Sequence, residues 1–177
     1  HATYADEEAL DLLEAAKDRI FVAPAISVTY TRLHEFAFPT SEAAKTRISR
    51  DLEATIARMQ DLKRRGVRVL PGGDYGFQWN PHGRNARDLD YFVKLMGWTP
   101  MEAIVGATAL GGAIMGMADT LGQVRTGFLA DLLLVDGDPL KDVTILQDRA
   151  RLLAIMKDGR FHKPPPVHLA RRRREAA

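Results

Sequence analysis

With 177 residues, 46% of them hydrophobic and 27% charged, the chain is long enough for one domain or one and a half and apolar enough to bury a core. A formal net charge of +2 makes no general case for a polyanionic partner, and the lack of cysteine excludes disulfides, thiolate metal sites and a cysteine nucleophile. No apolar run approaches the ~18 residues of a membrane span. The absence of cysteine fits a reducing compartment, and the expected one is cytoplasmic. The chain opens on His1 rather than methionine, without a signal-peptide pattern, and so reads as a processed product or as the C-terminal piece of something longer.

The stretch ADEEALDLLEAAKDRI spaces Leu10, Leu13, Ala16 and Ile20 on one helical face, with Asp6, Glu7 and Glu8 at the positive end of the helix. FVAPAISV follows as a short buried strand punctuated by Pro24. The clearest helix is TSEAAKTRISRDLEATIARMQDLKRRG, where Ala44, Ile48, Leu52, Ile56, Met59 and Leu62 make a stripe. Ser41 caps it and Gly66 stops it. The strand VRVL comes next and breaks into Pro71-Gly72-Gly73-Asp74. ARDLDYFVKLMG is a further helix with Leu89, Phe92, Val93 and Met96 inward. Thr99 to Glu102 then reads as a capping box opening PMEAIVGATAL.

Helices alternating with continuous apolar strands predict an α/β architecture with a parallel sheet. After Gly111-Gly112 the texture becomes β-rich, and LLAIMKDGRFHK predicts a hairpin turning on Asp158-Gly159. Arg171 to Arg174 read first as a solvated tail, with nucleic acid as a weaker alternative.

Parallel α/β proteins place their sites at the carboxyl ends of strands, where Asp74 stands. On its own, an Asp beside two glycines is more often a turn former than a catalyst. Two other features change the weighing. GQVRTGFLADLLLVDGDPL matches, at Gly122, Val124, Gly127, Ala130, Asp131, Leu132, Asp136, Gly137, Asp138, Pro139 and Leu140, a signature of the metal-dependent amidohydrolase superfamily. The order strand, GGD, helix, TPMEAI, ATALGG matches it too. The chain resembles the imidazolonepropionase-like and Xaa-Pro-dipeptidase-like branch over roughly residues 1–163.

That resemblance implies the C-terminal part, strands six to eight, of a TIM (β/α)8 barrel over residues 1–118. It implies a β-sandwich segment over 119–165, and the residues left beyond it, 166–177, read from their arginine run as a basic tail without fixed structure. It also implies hydrolysis of a carbon–nitrogen bond, in a cyclic amide or a dipeptide-like substrate, by a metal-activated hydroxide. His1 matches the histidine that ends strand six and Asp74 the aspartate that ends strand eight. His1 and Asp74 are thus the expected ligands of a divalent metal, zinc foremost, with one or two ions in the full-length parent. Asp74 is also the expected proton-transfer group.

The sequence departs from the family pattern in lacking an H-x-H pair and the ligands of strands one, four and five. Two ligands fall short of a catalytic site, so the fragment is expected to be inactive alone. It would need the remainder of the barrel, upstream of residue 1, as its partner. Its open edge also favours poor solubility or a homo-oligomer. His82 and Arg84 are weaker candidates for holding a substrate carboxylate, against a simple helix-entry loop. Tyr75 and Tyr30 are candidate pocket residues, and Phe77 and Trp79 either line a pocket or pack on the following helices. His162 and His168 have no assigned chemistry. Asp131 and Asp136 are read as structural. The rival from another class is a non-catalytic α/β binding module with a basic tail.

Overall fold

The computed structural model describes residues 1–36 and 41–166. The expectations for Arg171 to Arg174 and His168 lie outside the described residues. The chain divides into two compact units, His1–Ala107 and Thr108–Ala177.

In the first unit, α1 (Glu7–Ala15) starts at Asp6, whose carboxylate accepts from the Ala9 amide at 2.9 Å. It turns a fully buried Leu10 inward. The long helix α3 (Glu42–Arg64) is capped by Ser41 as its sequence predicts. Its buried stripe is Ile48, Leu52, Thr55, Met59 and Leu62, one residue every three or four, as one helical face requires. Gly66, at φ 75°, ends the helix where a side chain would be strained. Arg65 holds α1 to this end: its guanidinium donates to Glu7 (2.7 Å), Asp11 (2.6 Å) and Glu14 (3.0 Å).

The runs around Val22 and Val69 pair in parallel. The Val22 amide donates to Arg68 O (2.9 Å) and the Leu70 amide to Val22 O (3.0 Å). The pairing is a single bridge, shorter than the expected strands. FVAPAISV does not form the strand its composition predicts. Only Val22 pairs, Ala25 takes a left-handed φ of 50°, and α2 (Ile26–His34) begins at the next residue. Pro24 has no amide to give a ladder, so the extended run ends there. No strand forms at residues 1–5. Past the Asp74 loop, α4 (Arg87–Lys94) and α5 (Pro100–Ala107) complete the unit. The capping box is present: Thr99 N donates to Glu102 Oε2 (2.7 Å) and Glu102 N to Thr99 Oγ1 (3.2 Å).

In the second unit, helix continues past the expected change of texture as α6 (Ala109–Ile114). An antiparallel sheet follows in the order β1 (Leu132–Val135), β2 (Leu152–Lys157), β3 (Arg160–Lys163). The β2–β3 hairpin turns on Asp158 and Gly159, both at positive φ, the geometry a two-residue hairpin needs. Asp131 accepts from Lys157 Nζ (2.7 Å) and the Asp158 amide (2.8 Å), tying the hairpin turn to the start of β1. Among the described residues, no helix is long and apolar enough to cross a membrane.

Candidate active site

Because Val22 and Val69 run in parallel, the loops that follow them leave the pair at the same end. A cavity of about 300 Å³ opens there. His1 and Asp74 both line it, with Thr3, Tyr4, Asp51 and Thr55 among their neighbours. The structure therefore brings together the two residues that the sequence singles out for a metal. Both are exposed.

The backbone around this cavity is strained. Among the described residues, the non-glycine positions at positive φ are Ala2 (57°), Ala25 (50°), Asp74 (48°) and Asp158 (49°). Ala25 and Asp74 line the cavity and Ala2 follows His1. Each left-handed residue with a side chain costs about 1 kcal/mol or more. Such costs persist where the surroundings impose them, and here the surroundings are visible.

On the His1 side, Thr55 spends its one hydroxyl proton on Asp51 O (2.8 Å), so Thr3 donates to Thr55 Oγ1 across 3.0 Å. The Tyr4 hydroxyl donates to the Asp51 carboxylate, and that bond holds the phenol above its ordinary pKa. These contacts fasten the segment after His1 to α3.

On the Asp74 side, Gly73 O accepts from Ser27 Oγ (3.0 Å) and from Asn80 Nδ2 (2.7 Å). Asn80 Nδ2 also reaches Asp74 O (3.3 Å) and Ser27 Oγ (3.2 Å). Ser27 and Asn80 are fully buried. Sequence reasoning passed over both, along with Thr3, Tyr4, Asp51 and Thr55. The one available signal was an Asn beside a proline in a glycine-rich loop, a pattern shared by ordinary turns.

The secondary candidates are placed elsewhere, and among the described residues none of them lines the His1–Asp74 cavity. Tyr75 turns to a separate cavity of about 250 Å³ with Asn85 and Asp88, where burial raises its phenol above the ordinary range. Its hydroxyl lies 3.5 Å from Arg84 O and from Asn85 O. Arg84 faces Glu35 at 3.7 Å rather than the site. Glu35 is gripped mainly by Arg87, which holds its carboxyl below the usual range. Tyr30 sits between His34 and Tyr91, 4.6 Å from each ring. The exposed His82 ring lies against Gly76, whose φ of 128° and missing Cβ permit the approach. Phe77 and Trp79 stack on each other at 5.0 Å, and Trp79 also meets Phe36.

Asp88, on the inner face of α4, is only 2% exposed. Its Oδ1 has no hydrogen-bond partner among the described residues. Burial pushes its carboxyl up to about 6, against the opposing pull of Tyr75, Ser27 and Arg87. A carboxyl raised in the folded state favours folding at low pH, and the advantage shrinks as pH climbs from the unfolded value near 4 through about 6. Asp88→Asn is therefore expected to be more stable than the parent above pH 6, by a few kcal/mol, and equal to it below pH 4. Urea melts across that range check this; equal stability at pH 7 would contradict it.

A model of the amidohydrolase family matches residues 1–161. The chain is 29% identical over 172 residues to ochratoxinase from Aspergillus niger, covering 94% of this chain and 34% of that protein. It is 26% identical over 111 residues to imidazolonepropionase from Vibrio vulnificus, covering 63% of this chain and 27% of that protein. Among solved structures, the A. niger ochratoxinase crystal structure superposes with a TM-score of 0.81 at 27% identity, over 93% of this chain and 37% of that one. A Xaa-Pro dipeptidase with methionine bound in its active site gives 0.74 at 27% identity, over 93% and 39%. The chain spans about a third of the length of the curated relatives it matches.

Proposed function

The chain belongs to the amidohydrolase family, and from that premise we propose that it carries part of the active site of a metal-dependent hydrolase of carbon–nitrogen bonds. The observation that supports this is the shared cavity: an imidazole and a strained aspartate meet at the carboxyl end of a parallel pair. Imidazole and carboxylate suit a borderline divalent ion, zinc best. When bound, such an ion supplies the Lewis acidity that makes water a usable nucleophile at neutral pH. Among the described residues, no group of three or more His, Asp and Glu side chains gathers to hold an ion. The remaining donors would come from the rest of the full-length protein, and the fragment alone would be inactive.

In this reading His1 would hold the ion as a neutral ligand through a ring nitrogen. The Asp74 carboxylate orients water, takes its proton on an Oδ atom and returns it to the departing amine nitrogen. The names of the relatives, a Xaa-Pro dipeptidase and an imidazolonepropionase, favour a dipeptide-like or cyclic amide substrate. His1 would end strand six, and the runs at Val22 and Val69 would be strands seven and eight of a (β/α)8 barrel. The β1–β3 sheet would belong to its flanking sandwich. The preceding part of the barrel would cover the open trough of about 900 Å³ beside residues 1–5, which Leu12, Leu13, Ile20 and Phe21 line. Leu12 is 66% exposed without such a cover.

The test is elemental analysis of the purified full-length protein. One or more equivalents of divalent metal per chain are expected, with hydrolysis lost on chelation and restored by zinc. A fully active, metal-free protein would overturn the reading.

A further inference from the structure

Asp74 is held in a backbone conformation that aspartate seldom chooses, and the groups that hold it reach the loop from two directions. One is Ser27, in the first turn of α2, whose hydroxyl donates to Gly73 O at 3.0 Å. The other is Asn80, on the returning limb of the Asp74 loop. That limb is closed on itself: Gly76 N donates to Asn80 O (2.9 Å) and Asn80 N to Phe77 O (3.0 Å). The closure fixes where the Asn80 side chain emerges, and its amide then bridges the carbonyls on either side of the Asp74 Cα. Gly73 O is 2.7 Å away and Asp74 O 3.3 Å.

An amide nitrogen carries two protons and no acceptor capacity, so the buried Asn80 side chain keeps its two carbonyl partners only while the peptides flanking Asp74 hold this arrangement. If the peptide before Asp74 flipped, Ser27 and Asn80 would lose a shared acceptor. Both are buried too deeply to replace it with bulk water.

We propose that Asn80, with Ser27 as its second hand, is the positioning residue that locks Asp74 in its left-handed conformation and so presents the carboxylate to the cavity it shares with His1. The inference rests on the reading of Asp74 as a metal ligand and adds to it a residue that touches neither metal nor substrate. Groups that orient a metal's ligands commonly account for a ten-fold to hundred-fold share of its affinity.

The test measures zinc affinity of the full-length protein by competition with a chromophoric chelator. Asn80→Ala is expected to weaken zinc about ten-fold, and Ser27→Ala, which removes one donor and leaves packing intact, roughly three-fold. In an Asp74→Ala background neither change should weaken zinc further, because each acts only through Asp74. Equal losses in both backgrounds would overturn the proposal by showing a general structural effect, and so would no loss in the parent background. Unchanged affinity in Asp74→Ala alone would overturn the metal reading together with this one. Loss in Asp74→Ala with none in Asn80→Ala or Ser27→Ala would overturn the positioning role by itself. Should Asn80→Ala fail to fold, Ser27→Ala carries the same comparison.

Discussion

Asp74→Asn in the full-length protein is expected to lower kcat by about a thousand-fold, the scale of a lost acid–base group, while its melting temperature stays near that of the parent. The separation of the two effects follows from the backbone. Asn enters the left-handed region at least as readily as Asp, so a φ of 48° is kept. The carbonyls of Gly73 and Asp74 keep their donors, because Asn80 and Ser27 bind main-chain atoms rather than the Asp74 side chain. What changes is one oxygen to one nitrogen at the cavity wall: the side chain loses its charge and its capacity to hold a proton. Turnover of a Xaa-Pro dipeptide, the substrate class proposed above, gives the first number and a circular-dichroism melt the second. Near-normal kcat would end the proton-transfer role.

A second large effect is expected one residue earlier. A Cβ on Gly73 would stand 2.1 Å from Tyr75 Cε2, 2.5 Å from Cζ and 2.6 Å from Ser27 Oγ. The Tyr75 ring is half-buried and borders the Asp88 cavity, so it cannot step aside without opening that space. Ser27 is within α2 and cannot move without releasing Gly73 O. Gly73→Ala should therefore destabilise the first unit by about 3 kcal/mol, the upper part of the range for overpacking. It should also displace the Asp74 loop, so that kcat falls with stability rather than independently of it. Gly111→Ala is the control: nothing lies within 4 Å of its added Cβ, and alanine suits a helix better than glycine. Urea denaturation of both variants checks this. A Gly73→Ala protein as stable as the parent would show that the loop yields more easily than its contacts imply.

Local signals were the legible ones. The α3 stripe, the Ser41 cap, the Thr99–Glu102 box and the Asp158–Gly159 turn each depend on residues a few positions apart, and each is present. The pairing of His1 with Asp74 was legible for another reason: it came from the resemblance to a family, since no periodicity links two residues so far apart. Contacts between distant segments were not legible. Asn80 and Ser27 are 53 residues apart, and nothing near either one signals the other. Asp88 looks like a solvent-facing residue of α4 in sequence, yet it is buried beside Tyr75 of the Asp74 loop and Ser27 of α2. FVAPAISV shows the same limit from the other side. Its β-branched residues favour a strand, but after Pro24 and the left-handed Ala25 its last three residues open α2.

The parallel bridge between Val22 and Val69 closes a loop of nearly fifty residues, at an entropic cost of about 3 kcal/mol. One bridge cannot repay that alone. It is expected to form only once α2 and α3, which fill the loop, have collapsed onto each other and shortened the search. The seat of Asp74 is then expected to be among the last parts of the unit to take shape during folding, and the first to be given up when heat or mutation loosens α2 and α3.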